Sequence, residues 1–303
     1  MATPYPNYPP PHDPEDGSGD DALPLDSSWA QREPVKPGHV LVSTVTGCRY
    51  DVLDPIAEGN FSVVYACRDI WGNDLVLKVL KDDGQDLNQM RLAAQREGSA
   101  MDAARHPMIV HIYDCFVRAG TWYIVCERCQ WTLREMLDSR ELAVRVDPRQ
   151  LAANLLQGID WVHRRGRMHC DIHVENVMVC AQPGGGLTYK LADFGLSQVL
   201  SDIDRRPLFA TNTRPPEAID RQLYGPIDHR VDIYHAALVL LQVLTDRIFF
   251  LSKEDILAGT PRKIAEALAH PWSAPLAQAL RRHVEQRQAS AERLWRDLKE
   301  ASR

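Results

Sequence analysis

The spacing of apolar residues changes once along this chain, and that change limits the folds open to it. Up to Cys126 they fall in short β-branched and aromatic runs, and after Cys129 they recur at helical spacing. Residues 50–56, 63–68 and 75–80 are expected to be strands, with Glu58-Gly59-Asn60 and Trp71-Gly72-Asn73-Asp74 as the turns between them. Short runs joined by tight turns make an antiparallel sheet. Residues 88–104 read as a helix that His106-Pro107 stops, because a residue before proline is pushed out of the helical region. Residues 109–113 and 122–126 complete about five strands.

Beyond Cys129, Asp147-Pro148-Arg149-Gln150 is a strong helix start, with an acidic cap and proline in the first position. Leu151, Leu155, Ile159 and Val162 follow on one face, and Gly166 is expected to end the helix. Residues 231–244 are apolar nearly all round, so they predict a buried central helix. Ser290 caps a last helix whose Leu294 and Leu298 face inward. The expected fold class is α+β: a small antiparallel-β lobe with one helix, then a larger, mostly helical lobe. The 303 residues suffice for both.

Residues 1–38 are rich in Pro, Asp, Gly and Ser, and cannot bury enough apolar surface to offset their ordering entropy. They are expected to be a disordered tail, either a passive extension or a Pro-rich docking ligand for a partner. The domain proper is expected over 39–303, with lobes at about 48–127 and 130–303. The net charge of -6 argues against nucleic acid as a partner. No basic region followed by an apolar run opens the chain, so no secretory signal is expected. The longest apolar stretch, near 236–244, is too short to span a bilayer. The seven cysteines include only one C-x-x-C, Cys126 and Cys129, so zinc is not expected. They read as free thiols in a reducing, cytoplasmic compartment.

A cleft between two lobes is a natural nucleotide site, and several motifs fall where such a cleft would lie. Ala57-Glu58-Gly59-Asn60-Phe61-Ser62-Val63-Val64 forms a small-residue hairpin. Leu75-Val76-Leu77-Lys78 ends the third strand run with a lysine, and Glu97 stands in the helix after it. Trp122-Tyr123-Ile124-Val125-Cys126-Glu127-Arg128-Cys129 leads out of the β region. His169-Cys170-Asp171-Ile172-His173-Val174-Glu175-Asn176 is followed by Asp193-Phe194-Gly195, and Arg214-Pro215-Pro216-Glu217 comes later.

Together these motifs resemble the eukaryotic-type protein kinase family over about residues 48–301. The resemblance implies an ATP- and Mg²⁺-dependent kinase that phosphorylates Ser/Thr hydroxyls of protein substrates. It assigns Ala57, Gly59 and Ser62 to the phosphate loop. Val64, Val76 and Met178 would line the adenine pocket, with backbone groups of Glu127 and Cys129 bonding adenine and Cys126 as gatekeeper. Lys78, fixed by Glu97, would hold the α- and β-phosphates. Asp171 would take the substrate hydroxyl proton. Asn176 and Asp193 would bind Mg²⁺ through oxygen. Glu217 would pair with Arg287, Asp232 would anchor the catalytic loop, and Met101, Ile112, His169 and Phe194 would stack between the lobes.

The sequence departs from that pattern at four places. Ala57 and Ser62 replace two glycines. Cys170 stands where an arginine would read a phosphorylated activation segment, so little dependence on phosphorylation at Thr211 or Thr213 is expected. His173 stands where a lysine would touch the γ-phosphate, so the rate is expected to fall as the imidazole loses its proton. Two alternatives stay open: a pseudokinase or scaffold module that keeps the fold, and a phosphotransferase acting on a small molecule.

Overall fold

The computed structural model describes residues 35–59, 62–81, 105–139, 146–182, 184–194, 198–199 and 214–303. The expected helix over 88–104, with Glu97 and Met101, lies outside them, as do most of the tail, Asn60, Phe61, Gly195, Thr211 and Thr213.

Six strands form one antiparallel sheet: β1 (Val40–Val42), β2 (Arg49–Glu58), β3 (Ser62–Asp69), β4 (Asp74–Leu80), β5 (Ile112–Arg118) and β6 (Thr121–Glu127). Their spatial order is β1-β2-β3-β4-β6-β5. Alternation on β4 is regular. Leu75, Leu77 and Val79 are buried among Val52, Phe116 and Tyr123, which turns Val76 and Lys78 to the other face. The β2–β3 register shifts on both sides of Pro55, which has no N–H to give to a ladder.

The expected strand over 109–113 begins later, at Ile112. The backbone before it is spent elsewhere. Ile109 forms a parallel bridge with Leu191, Val110 N–H donates to Leu191 O (2.8 Å), and Leu191 N–H donates to Met108 O (2.9 Å).

The helical part is built on two sixteen-residue helices. In Pro148–His163 the Asp147 carboxylate accepts from Arg149 N–H, and Leu151, Leu155, Ile159 and Val162 are all buried. This helix stops at His163, short of Gly166, whose N–H closes the following turn onto His163 O at φ +66°. The helix Arg230–Thr245 is buried from Val231 to Gln242, as its all-round apolar sequence requires. The last helix, Ala291–Ala301, is capped by Ser290, with Leu294 and Leu298 in the core. Arg287 meets Glu217 through two bonds, 2.7 and 2.6 Å, with both side chains wholly buried.

Five short strands interrupt this helical region: β7 (Trp131–Thr132), β8 (Arg167–Met168), β9 (Val177–Ala181), β10 (Leu187–Leu191) and β11 (Gln198–Val199). They form the sheets β10-β9-β7 and β11-β8. The turn between β8 and β9 carries His169 to Asn176. Among the described residues, no helix is long and apolar enough to cross a membrane.

Candidate active site

Lys78 reaches the site because of strand register. It pairs with Val64, while Val76 pairs with Cys126, so Val64, Val76, Cys126 and Lys78 share the face turned away from the small core. Ala57 pairs with Val64 at the turn end of the β2–β3 hairpin. Gly59 N–H donates to Ser62 O (2.9 Å), which closes the turn. The ammonium of Lys78 lies 2.9 Å from Asp193 Oδ1. Asp193 gets there by a left-handed bend, φ +61°.

The other half of the site hangs on Asp232, in the first turn of the helix Arg230–Thr245. Its Oδ2 accepts from His169 N–H (2.7 Å) and its Oδ1 from Cys170 N–H (2.8 Å). His163 Nε2 lies 2.8 Å from Oδ2. Burial pushes this carboxyl up, but the His163 bond and charge, His169 and the backbone N–H outweigh it and bring the pKa to about 2. Cys170 has φ +69°, a conformation that costs a non-glycine residue roughly 1 kcal/mol. The paired N–H bonds to Asp232 hold that turn and so aim the next residue, Asp171.

Each ring nitrogen of His169 has one role. Nδ1 accepts from Asp171 N–H (3.3 Å), so Nε2 carries the proton and donates to Ala192 O (3.0 Å). Its ring lies 4.6 Å from that of Phe194. Ala192 N–H donates to Asn176 O (2.9 Å). The His169–Asn176 turn and the segment leading to Asp193 are thus fastened to each other at two points.

The amide nitrogen of Asn176 donates to Asp171 O (2.9 Å) and to Asp171 Oδ2 (3.2 Å), so its amide oxygen is the end that can serve a cation. Asp171 Oδ1 is buried and has no hydrogen-bond partner among the described residues. A buried carboxylate oxygen without a partner is costly unless a ligand completes it. His173 Nε2 stands 3.6 Å from Asp171 Oδ2. Burial lowers the His173 pKa, but the Asp171 bond and charge, with Glu175 and Asp193, raise it above the ordinary imidazole value.

The structure therefore holds Asp171, His173 and Asn176 together and Lys78 on Asp193, the two sets fastened through the Ala192–Asn176 backbone bond, whereas Glu97 lies outside the described residues. Asn176 and Asp193 supply the hard oxygen donors that suit Mg²⁺. Met178 sits on β9, paired with Thr132 and Lys190. Lys190 itself escaped sequence reasoning. Its ammonium lies 2.5 Å from Glu127 Oε1, and Glu127 Oε2 accepts from His111 N–H (3.2 Å). Nothing local announces this pair, whose members are 63 residues apart.

Comparison with known proteins gives the family of the chain. The family described as Protein kinase domain matches residues 50–297. Serine/threonine-protein kinase 36 of Pongo abelii is 28% identical over 203 residues, 64% of this chain and 14% of that protein. The Carbon catabolite-derepressing protein kinase of Candida tropicalis is 26% identical over 206 residues, 67% of this chain and 32% of that protein. Putative CBL-interacting protein kinase 13 of Oryza sativa subsp. japonica is 28% identical over 256 residues, 80% of this chain and 48% of that protein. The chain thus spans less than half the length of each of these relatives.

Proposed function

Since the chain belongs to the protein kinase domain family, we propose that it transfers the γ-phosphoryl group of ATP to serine or threonine hydroxyls of protein substrates. The observation that carries this reading is Asp171 Oδ1, buried beside Asn176 without a hydrogen-bond partner among the described residues, on a turn fastened to the segment that carries Asp193 and its bond to Lys78. A substrate hydroxyl donating to that oxygen satisfies it and aligns its own oxygen on the γ-phosphorus.

Lys78 holds the α- and β-phosphates from the small sheet. Asp171 takes the hydroxyl proton as the new P–O bond forms and the bond to the β-phosphate bridge breaks, releasing ADP. His173, as imidazolium, faces the charge that develops on the γ-phosphoryl oxygens. Asn176 and Asp193 would hold Mg²⁺, whose charge would offset that of the phosphates. Ala57, Gly59 and Ser62 let the hairpin backbone approach the phosphates. Val64, Val76 and Met178 enclose adenine, against backbone groups of Glu127 and Cys129.

Cys170 is wholly buried and carries no charge, so the position before Asp171 offers a phosphorylated segment no cation. Activity is therefore independent of phosphate at Thr211 or Thr213, and a protein altered to alanine at both keeps its turnover. We take 39–303 as the catalytic domain, with lobes at 48–127 and 130–303, and 1–38 as its tail. The seven free thiols fit a cytoplasmic setting.

The test is transfer of labelled phosphate from ATP and Mg²⁺ to a generic protein, beside Asp171→Asn and Asp193→Ala. Label on Ser or Thr that both changes abolish supports the reading. A second reading, a scaffold module without turnover, rests on Cys170, His173 and the missing glycines at Ala57 and Ser62. It wins if the folded protein gives no label above the controls.

A further inference from the structure

Cys129 Sγ and Cys180 Sγ lie 2.8 Å apart, and phosphoryl transfer has no use for either thiol. Backbone pairing on both sides holds them there. Cys129 lies between β6 and β7, Cys180 lies in β9, and β7 and β9 pair through Trp131–Val179 and Thr132–Met178. Gln130 N–H donates to Val179 O (3.2 Å), and Ala181 N–H donates to Gln130 Oε1 (2.9 Å). A disulfide bond needs a sulfur separation of about 2.0 Å, so less than one ångström of approach is required. Cys129 is half-buried, which gives a small oxidant access to the pair.

We propose that Cys129 and Cys180 form a redox modification site, which a hydroperoxide converts to an intrachain disulfide. One sulfur attacks the peroxide O–O bond and becomes a sulfenic acid. The second sulfur then displaces the hydroxyl, and the S–S bond forms. In sum the two thiols give up two protons and two electrons, and hydrogen peroxide leaves as two waters. A dithiol reverses the step by exchange.

Two observations bear on reactivity. The hydrogen bond between the two thiols holds Cys180 below its ordinary pKa despite burial, while the same bond and burial push Cys129 up. The Glu127 carboxylate beside the pair acts to raise the Cys180 pKa, and the Lys190 ammonium bonded to Glu127 acts in the opposite sense. Glu127, Cys129 and Cys180 also place three donor atoms within 4.8 Å of one another, as a soft metal ion would need. Glu127 is already engaged by Lys190 and by His111 N–H, however. The two sulfurs left are in contact with each other rather than spread around an ion. This geometry favours the disulfide.

The experiment uses the full chain, reduced and then treated with a slight excess of hydrogen peroxide. The remaining thiols are alkylated and the digest is weighed. The expected product joins the Cys129 peptide to the Cys180 peptide, is lighter by two hydrogens than their sum, and disappears with dithiothreitol. Cys126→Ser keeps this product, and Cys129→Ser and Cys180→Ser each lose it. Full alkylation of both thiols after treatment overturns the proposal. So does oxygen retained on one sulfur without a link, a link to another cysteine, or a link between two chains. The readout is a mass, so it stands whether or not the protein transfers phosphate.

Discussion

The Asp171 carboxylate beside the His173 imidazole favours the charged ring, and this sets a direction for pH dependence. The raised His173 pKa keeps the imidazolium above the range of a free imidazole, and its charge disappears as pH rises through that value. Turnover should therefore fall on the alkaline side, and His173→Lys should flatten that limb. Rate profiles of the two proteins between about pH 6 and about pH 9 decide it, because the limb must be absent from the lysine protein. Asp232 works in the opposite sense. Its folded pKa of about 2 is below the unfolded value, so its stabilisation is present above the unfolded pKa and fades as pH falls towards about 2. The shift corresponds to stabilisation on the order of 2 kcal/mol. Asp232→Asn should cost about 3 kcal/mol at neutral pH, because it weakens a buried acceptor of two N–H groups. Urea midpoints should show the gap to the wild type narrowing in acid.

At the scale of elements, the helix Pro148–His163 approaches its neighbour closely at Gly158. A Cβ there would stand 3.1 Å from Met108 O and 3.2 Å from a methyl of Leu191. Met108 O cannot retreat, since it accepts from Leu191 N–H. Gly158→Ala should therefore lower stability by about 1 kcal/mol, although alanine is the better helix former; denaturant unfolding measures the sign. Ser290→Ala should cost about 1 kcal/mol by losing the cap on the last helix. Both long helices were legible in the sequence, because a cap and an apolar stripe are local signals. The strands β7 to β11 were not, because strands of two to five residues paired with distant partners leave little periodicity. The roles proposed for Lys78, Asp171, Asn176 and Asp193 rest on the order of motifs along the chain. No spacing revealed that Lys190 would meet Glu127, or that Cys129 would face Cys180, 51 residues away.

Residues 35–303 form one compact unit, and its helical part depends on a charge pair that water never reaches. Glu217→Gln should cost about 3 kcal/mol, since it leaves the Arg287 guanidinium buried without its counter-charge. Glu217→Leu combined with Arg287→Met should recover most of that loss, as apolar replacements of buried pairs often do; melting of both proteins tests it. The sequence suggested this pair only through the resemblance, because the partners sit 70 residues apart. The small sheet and the helical part also meet at the crossing of residues 108–110 with Leu191. Two backbone bonds hold Leu191 along one edge to residues 108 and 110, and Asp193 is only two residues further along the chain. The segment that carries Asp193 is thus moored twice to the sheet side of the molecule, once through Leu191 and once through its own bond to Lys78 on β4.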